Sequence, residues 1–263
     1  MAANTINILF IADIVGKAGL DIAKAHLGVL KDRHHVHLTI ANGENGAAGK
    51  GLNQSVARAF FDMGVDVITS GNHIWNRFKF YPTLDDQPRI LRPLNYPPGC
   101  PGHGSCVIEV EENAVGVINL QGRSFMYNID CPFRAAEAEI DRLKAGGVRI
   151  LFVDFHAEAT AEKVALGWHL DGKISALVGT HTHVQTADER ILPRGTAYIT
   201  DAGMTGAFDS VIGMDTEVAI KRFMTQLPSH YKEAGGDPML CGVVVSVDTV
   251  TARATAIRRL QMA

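Results

Sequence analysis

Five times along this chain a short apolar run ends in a side chain able to bind a metal ion. Ile6–Ala12 runs into Asp13, His37–Ala41 into Asn42-Gly43-Glu44-Asn45, and Val65–Thr69 into Ser70-Gly71-Asn72-His73. Arg149–Phe155 runs into His156, and Ala176–Gly179 into Thr180-His181-Thr182-His183. These runs are β-rich and lack helical spacing, so they predict buried strands. Between them, roughly Leu20–Lys31, Ser55–Met63, Pro132–Lys144 and Ala161–His169 have the broad apolar face of helices. The Gly16–Gly19 stretch before the first helix reads as a turn. Strand, polar loop and helix in repeated order predict an α/β chain with parallel strands whose carboxyl ends share one rim. Ligands gather at that rim in open sheets.

The remaining chain fits one domain over residues 1–263. Gln87–Gly104 is rich in Pro and Gly and predicts an ordered loop, and Ser105–Val110 with Ala114–Leu120 predicts a hairpin. A Gly- and Asp-rich segment, Thr200–Asp215, has no predicted place; a helix near Glu217–Leu227 and two β-rich runs, Leu240–Val247 and Ala252–Arg259, follow it. With 46% hydrophobic and 20% charged residues the chain is not disordered. Lys+Arg 25 against Asp+Glu 28 gives no global signal for a nucleic-acid coat or a membrane surface. The first residues lack the basic and apolar regions of a signal peptide, and no apolar run approaches the roughly 20 residues of a membrane span. The expectation is a cytoplasmic protein. Cys100, Cys106, Cys131 and Cys241 form no CxxC pair and predict free thiols.

Two carboxylates, several imidazoles and one or two amide oxygens form a borderline-hard donor set, suited to Mn, Fe, Zn or Co more than to Mg or Ca. The candidates outnumber what one ion needs, so two metals are the simpler account, with Glu44 able to bridge them. Metals about 3.5–4 Å apart can clamp a phosphoryl group. Each signal has an ordinary alternative: Asp13 as a turn or cap residue, Asn72-His73 as a tight turn, His181 or His183 as a satisfied core histidine. Coincidence at five strand ends outweighs them. His34, His35 and His37 predict a solvated patch, and His26, His103, His169 and His230 have no partner pattern. Gly46–Gly51 lacks the spacing of a P-loop, although its backbone amides could face a phosphate. Asp154-Phe155-His156 has no GxSxG serine with which to form a nucleophile triad.

In order, Asp13, Gly43-Glu44-Asn45, Gly71-Asn72-His73, His156 and Gly179-Thr180-His181-Thr182-His183 resemble the blocks of calcineurin-like metallophosphoesterases. Longer stretches are similar to one branch, the YmdB-like bacterial phosphoesterases: Ile8–Gly16, Asn42–Asn45, Thr69–Trp75, Val178–Asp188 and Thr200–Gly206. The resemblance runs from Ile6 to Arg259. Two positions depart from the wider superfamily: Val15 stands where a histidine is usual, and Glu44 where a bridging aspartate is usual. The resemblance implies a layered αββα sandwich of mixed sheets flanked by helices, with the site at the carboxyl ends of strands. It implies one metal on Asp13, Glu44 and His183, with Asn45 or water filling the lost imidazole's place, and a second on Glu44, Asn72, His156 and His181. Iron or manganese would lead, with zinc or cobalt as alternatives. His73 would be a non-ligand general acid, and Asn45 and His73 would also touch substrate. The implied chemistry opens 2′,3′-cyclic nucleotides such as 2′,3′-cAMP to 3′-nucleotides through a metal-bridging hydroxide. A homo-oligomer is also implied. The alternative is a metal-bound regulatory scaffold influencing RNA turnover through RNA-turnover partners, with incidental hydrolysis; a protein phosphatase is a third reading.

Overall fold

The computed structural model describes residues 5–263. Its first half runs β1 (Thr5–Ile11), α1 (Gly16–Arg33), β2 (Leu38–Asn42), α2 (Gln54–Asp62), β3 (Val67–Thr69) and α3 (Tyr81–Asp86), with 3₁₀ turns at Asn72–Asn76 and Phe78–Phe80 before α3. Next come β4 (Ser105–Val110), β5 (Asn113–Gln121), α4 (Pro132–Ala145), β6 (Ile150–His156), α5 (Thr160–Leu170) and β7 (Ala176–Thr180). The chain closes with β8 (Arg190–Ile191), β9 (Ala197–Ile199), β10 (Gly206–Ala207), α6 (Thr216–Thr225), β11 (Pro238–Asp248) and β12 (Ala254–Met262).

Two six-stranded mixed sheets result. One has the order β10-β11-β1-β2-β3, with β12 also on β11; the other has the order β4-β5-β6-β7-β9-β8. β1, β2 and β3 are mutually parallel, as are β5, β6, β7 and β9, while β11 and the hairpin strand β4 run antiparallel to their neighbours.

The period-2 alternation of side chains explains the layering. Ile8 and Phe10 on β1, with Val115, Val117, Ile150, Phe152 and Val178 of the other sheet, form the core between the sheets. Phe10 stacks on Phe152 with ring centroids 5.6 Å apart. The alternate residues Leu9 and Ile11 face outward, onto Leu27 and Leu30 of α1 and Phe60 of α2. Leu151, Val153 and Phe155 face Ile140 and Leu143 of α4 and Leu166 of α5. The layers are therefore helix, sheet, sheet, helix, as expected.

Several boundaries differ from the sequence reading. The Gly16–Gly19 stretch is the first turn of α1, because the Gly19 amide already reaches the Val15 carbonyl at 3.1 Å. β3 begins two residues late, since the Val65 amide closes α2 on Phe60 and the Asp66 amide bonds Thr39. The amides of Gly46, Ala47 and Lys50 are spent on the carbonyls of Gly43, Gly51 and Ala47, so those three do not serve a phosphate. His37 is more than a solvated residue: its Nδ1 accepts the Asn7 amide at 3.0 Å. All four cysteines are free. Among the described residues no helix is long and apolar enough to cross a membrane.

Candidate metal centre

All five predicted segments arrive at one rim. Asp13, Glu44 with Asn45, and Asn72 with His73 come from the carboxyl ends of β1, β2 and β3; His156 ends β6, and His181 with His183 follows β7. The first sheet supplies every oxygen donor, and the second supplies the imidazoles apart from His73.

At the centre, Glu44 Oε1 lies 3.0 Å from His156 Nε2. Asn72 Oδ1 is 3.2 Å from the same nitrogen, and His181 Nδ1 is 3.0 Å from it. Glu44, His156 and His181 offer donor atoms within 4.8 Å of one another. On the other side, the Asn45 amide nitrogen is 3.3 Å from both Glu44 Oε1 and His183 Nε2, which ties His183 to the Glu44 carboxylate. Asp13 is fully buried; its Oδ2 accepts the His181 amide at 3.0 Å. Its Oδ1 has no hydrogen-bond partner and lies 4.0 Å from His156 Nδ1. A buried carboxylate oxygen without a donor is costly, and Glu44 Oε1, Asn72 Oδ1 and His181 Nδ1 crowd three acceptor atoms around the single nitrogen His156 Nε2. A cation held by Glu44, His156 and His181 would take up those lone pairs, and its charge would favour the buried Asp13 carboxylate nearby, so the donor set fits a transition-metal site.

The protons are directed by residues behind the donors. Thr180 Oγ1 donates to Asp154 Oδ1 at 2.7 Å and therefore accepts from His156 Nδ1 at 3.0 Å, which leaves Nε2 aimed at the centre. His183 Nδ1 donates to the Ile212 carbonyl at 3.0 Å, which leaves its Nε2 without a proton, as an acceptor beside the Asn45 amide. Such outer partners fix the tautomer of metal-binding histidines. Asp201, buried, accepts from Lys163 Nζ at 2.7 Å, from the Thr182 amide at 3.1 Å and from the Thr182 hydroxyl at 2.7 Å. That grip holds His181 and His183 at φ +99° and +64°, backbone that non-glycine residues seldom adopt.

The charges respond strongly. Burial drives Asp13 well above the usual carboxylate range, although the nearby His156 opposes it. Burial alone would lower His156, but the Glu44 carboxylate, with Asp13 and Asp154, lifts it to about 9. Burial also lowers His181, helped by the neighbouring His156 charge, to about 3. Burial lifts Asp154 to about 6 against the hydrogen bonds from Thr69, Thr180 and Asn42.

His73 sits at the edge of this cluster. Its amide donates to Glu44 Oε2 at 3.0 Å and its Nδ1 is 3.3 Å from Asn76 Oδ1. With Glu44, Asn45, His181 and His183 it lines a cavity of about 450 Å³ whose far wall includes Lys50, Arg222, Phe223 and Tyr231. None of those four was singled out in the sequence as a site residue. The Gly- and Asp-rich segment now has its place: Thr205 bonds the backbone of Asp13 and Val15, and Ile212 orients His183. Sequence reasoning also missed Glu158, whose Oε2 is 3.0 Å from His181 Nε2. Asp154 carried a signal, a lone carboxylate in an apolar strand two residues before His156; Lys163, one charge on an amphipathic helix, carried none.

Comparison with known proteins agrees with this architecture. The family model described as YmdB-like protein matches residues 9–260. A Bacillus subtilis (strain 168) protein named 2′,3′-cyclic-nucleotide 2′-phosphodiesterase is 49% identical over 253 residues, covering 96% of each chain. A structure titled a novel phosphatase, from Mycoplasma pneumoniae, superposes with a TM-score of 0.94 at 34% identity, covering 100% of this chain and 94% of that one. A hypothetical protein from Thermus thermophilus superposes with a TM-score of 0.92 at 40% identity, covering 97% and 98%.

Proposed function

The chain belongs to the YmdB-like family, and from that premise we propose that it is a metal-dependent phosphodiesterase that opens 2′,3′-cyclic nucleotides to 3′-nucleotides. The observation that carries this reading is the convergence of Glu44, Asn72 and His181 on His156 Nε2, beside a buried Asp13 with an unsatisfied carboxylate oxygen and with His73 on the wall of the adjoining cavity. The name of the Bacillus subtilis relative supports the substrate class. Asp13, Glu44, Asn45 and His183 would hold one metal, and Glu44, Asn72, His156 and His181 the other. The mixed carboxylate, amide and imidazole set suits iron or manganese, with zinc or cobalt as substitutes. Bound there, two ions supply an activated water and positive charge against the phosphoryl oxygens.

The protein's own groups do the rest. Lys50 and Arg222 give the cavity cationic character that matches a phosphodiester anion. The Glu44 carboxylate, by accepting the His73 amide, fixes where the His73 ring enters the cavity. Asn76 Oδ1 accepts from Nδ1–H of His73, so Nε2 is the ring nitrogen left to deliver a proton to the departing 2′ oxygen. No protein nucleophile is needed. The reading treats the chain as a single domain, and resemblance supports a homo-oligomer.

The test is hydrolysis of 2′,3′-cAMP by Mn-reconstituted protein, with an EDTA-treated control and the products resolved. Metal-dependent 3′-AMP is expected. Two bound metals with no turnover would shift the reading to the regulatory scaffold.

A further inference from the structure

The turn that leaves the carboxyl end of β5 holds apolar side chains out in water beside the metal centre. Phe125 is 92% exposed and Tyr127 70%. Phe125 also has φ +62°, a region that bulky residues avoid. Such strain persists only where the surroundings impose it. Here the amides of Arg123 and Ser124 donate to the Glu162 carboxylate at 3.0 and 3.1 Å, and the Met126 amide reaches the Arg123 carbonyl at 3.2 Å. The turn is pinned to the first turn of α5, on the same rim as the metal-binding loops, because β5 is parallel to β6. Between it and the centre is a concavity of about 280 Å³ lined by Phe125, Met126, Tyr127, Asn72 and His181. The larger cavity with His73 lies on the other side, and His181 borders both.

A cyclic mononucleotide has both ester oxygens on one ribose and needs one such hollow. A linear phosphodiester carries two organic groups and needs one on each side of phosphorus. We propose that the Phe125–Tyr127 turn is a base-stacking subsite, so that the centre also hydrolyses linear phosphodiesters joining two nucleosides. This rests on the phosphodiesterase reading above. The leaving nucleoside occupies the larger cavity beside His73, and the retained nucleoside stacks on Phe125 and Tyr127. Water oxygen bonds to phosphorus and the ester bond to the leaving ribose breaks. One water proton ends on the ribose oxygen and the other on the new phosphate monoester, giving a nucleotide and a nucleoside. Aromatic side chains suit this role because every base offers a π face, and one such stack changes binding roughly 5–150-fold.

The experiment compares kcat/KM for the dinucleotide adenylyl-(3′→5′)-adenosine with that for 2′,3′-cAMP, in metal-reconstituted wild type and in Phe125→Ala, Tyr127→Ala and the double variant. The exposure of both side chains leaves folding intact, which circular dichroism checks. The dinucleotide-to-cyclic ratio is expected to fall about 10–100-fold in the double variant, mainly through KM. An unchanged ratio overturns the subsite, as does wild type that opens 2′,3′-cAMP but leaves the dinucleotide intact; the phosphodiesterase reading then stands. Wild type with two metals that hydrolyses neither substrate overturns both. A change of oligomeric state in the double variant, seen by sedimentation, gives the patch to a second copy of the chain and overturns the subsite.

Discussion

At the scale of single residues, the centre is a competition between protons and metal for the same lone pairs. In protein stripped with EDTA, His156 is buried, which alone would lower it, yet Glu44, Asp13 and Asp154 hold it at about 9 against an ordinary 6.5. The sign follows from linkage: a folded value above the unfolded one stabilises fully below pH 6.5, and that contribution is lost as pH rises to about 9. Asp13, also raised, acts in the same sense. Urea unfolding of stripped protein should therefore show stability declining from about pH 6.5 to 9, and metal-loaded protein should stay level there; a flat profile for the stripped protein would contradict the charged His156. His73 makes a different prediction, because the proposed mechanism gives its ring a proton to deliver and no metal to hold. His73→Ala should keep its metal content by elemental analysis and lose roughly 10²–10⁴-fold in turnover of 2′,3′-cAMP. Wild-type turnover would remove His73 from the reaction, and lost metal would make it a ligand.

At the scale of elements, strands fix donors and loops fix protons. Gly71, in the turn after β3, lies so close to His156 that a Cβ there would stand 2.1 Å from its Cδ2 and 2.3 Å from its Nε2. Gly71→Ala should fold, displace His156 or Asn72, and weaken metal binding about 10–100-fold, as lost support of a ligand does; calorimetric titration with Mn²⁺ measures it, and unaltered affinity would mean that His156 is not held by this contact. The strand ends were legible because an apolar run stops abruptly where the chain meets the rim: Asp13, Glu44, Asn72, His156 and His181 were all readable. The supports were not. The link from Lys163 through Asp201 to Thr182 joins residues 38 and 19 positions apart, and no local pattern encodes it. Glu158 and Tyr231 reach the site from loops or turns whose shape depends on tertiary contacts. α3 also escaped notice, since its six residues are too few for a period to declare itself.

At the scale of the whole molecule, the two sheets are held together by an apolar layer whose aromatic contact is Phe10 on Phe152. Phe152→Ala should destabilise by about 3–5 kcal/mol, the usual cost of a large core aromatic. Chemical denaturation measures it, and a loss under about 1 kcal/mol would mean that the layer closes over the gap. The four-layer order was legible only through the family resemblance, because β1 and β6 are apolar on both faces and their sequence does not say which face meets the other sheet. The position of β11 was not legible, because Asn7 and its partner Ser246 stand 239 residues apart and pair only once the intervening fold has formed.

That last pairing bears on when metal can be taken up in the life of the protein. Asp13 hangs from β1, and β1 is flanked by β2, made early, and by β11, whose Ser246 follows Asn7 of β1 by 239 residues. Asn72 and His156 are themselves 84 residues apart in the chain. A growing polypeptide exposes its oxygen donors first, and β1 gains its second neighbour only when β11 has been made and has paired with it. A chain cut before residue 238 leaves β1 without that neighbour, and the Ala12 amide, next to Asp13, without the Cys241 carbonyl that it bonds at 3.0 Å, however many of the candidate ligands have been made.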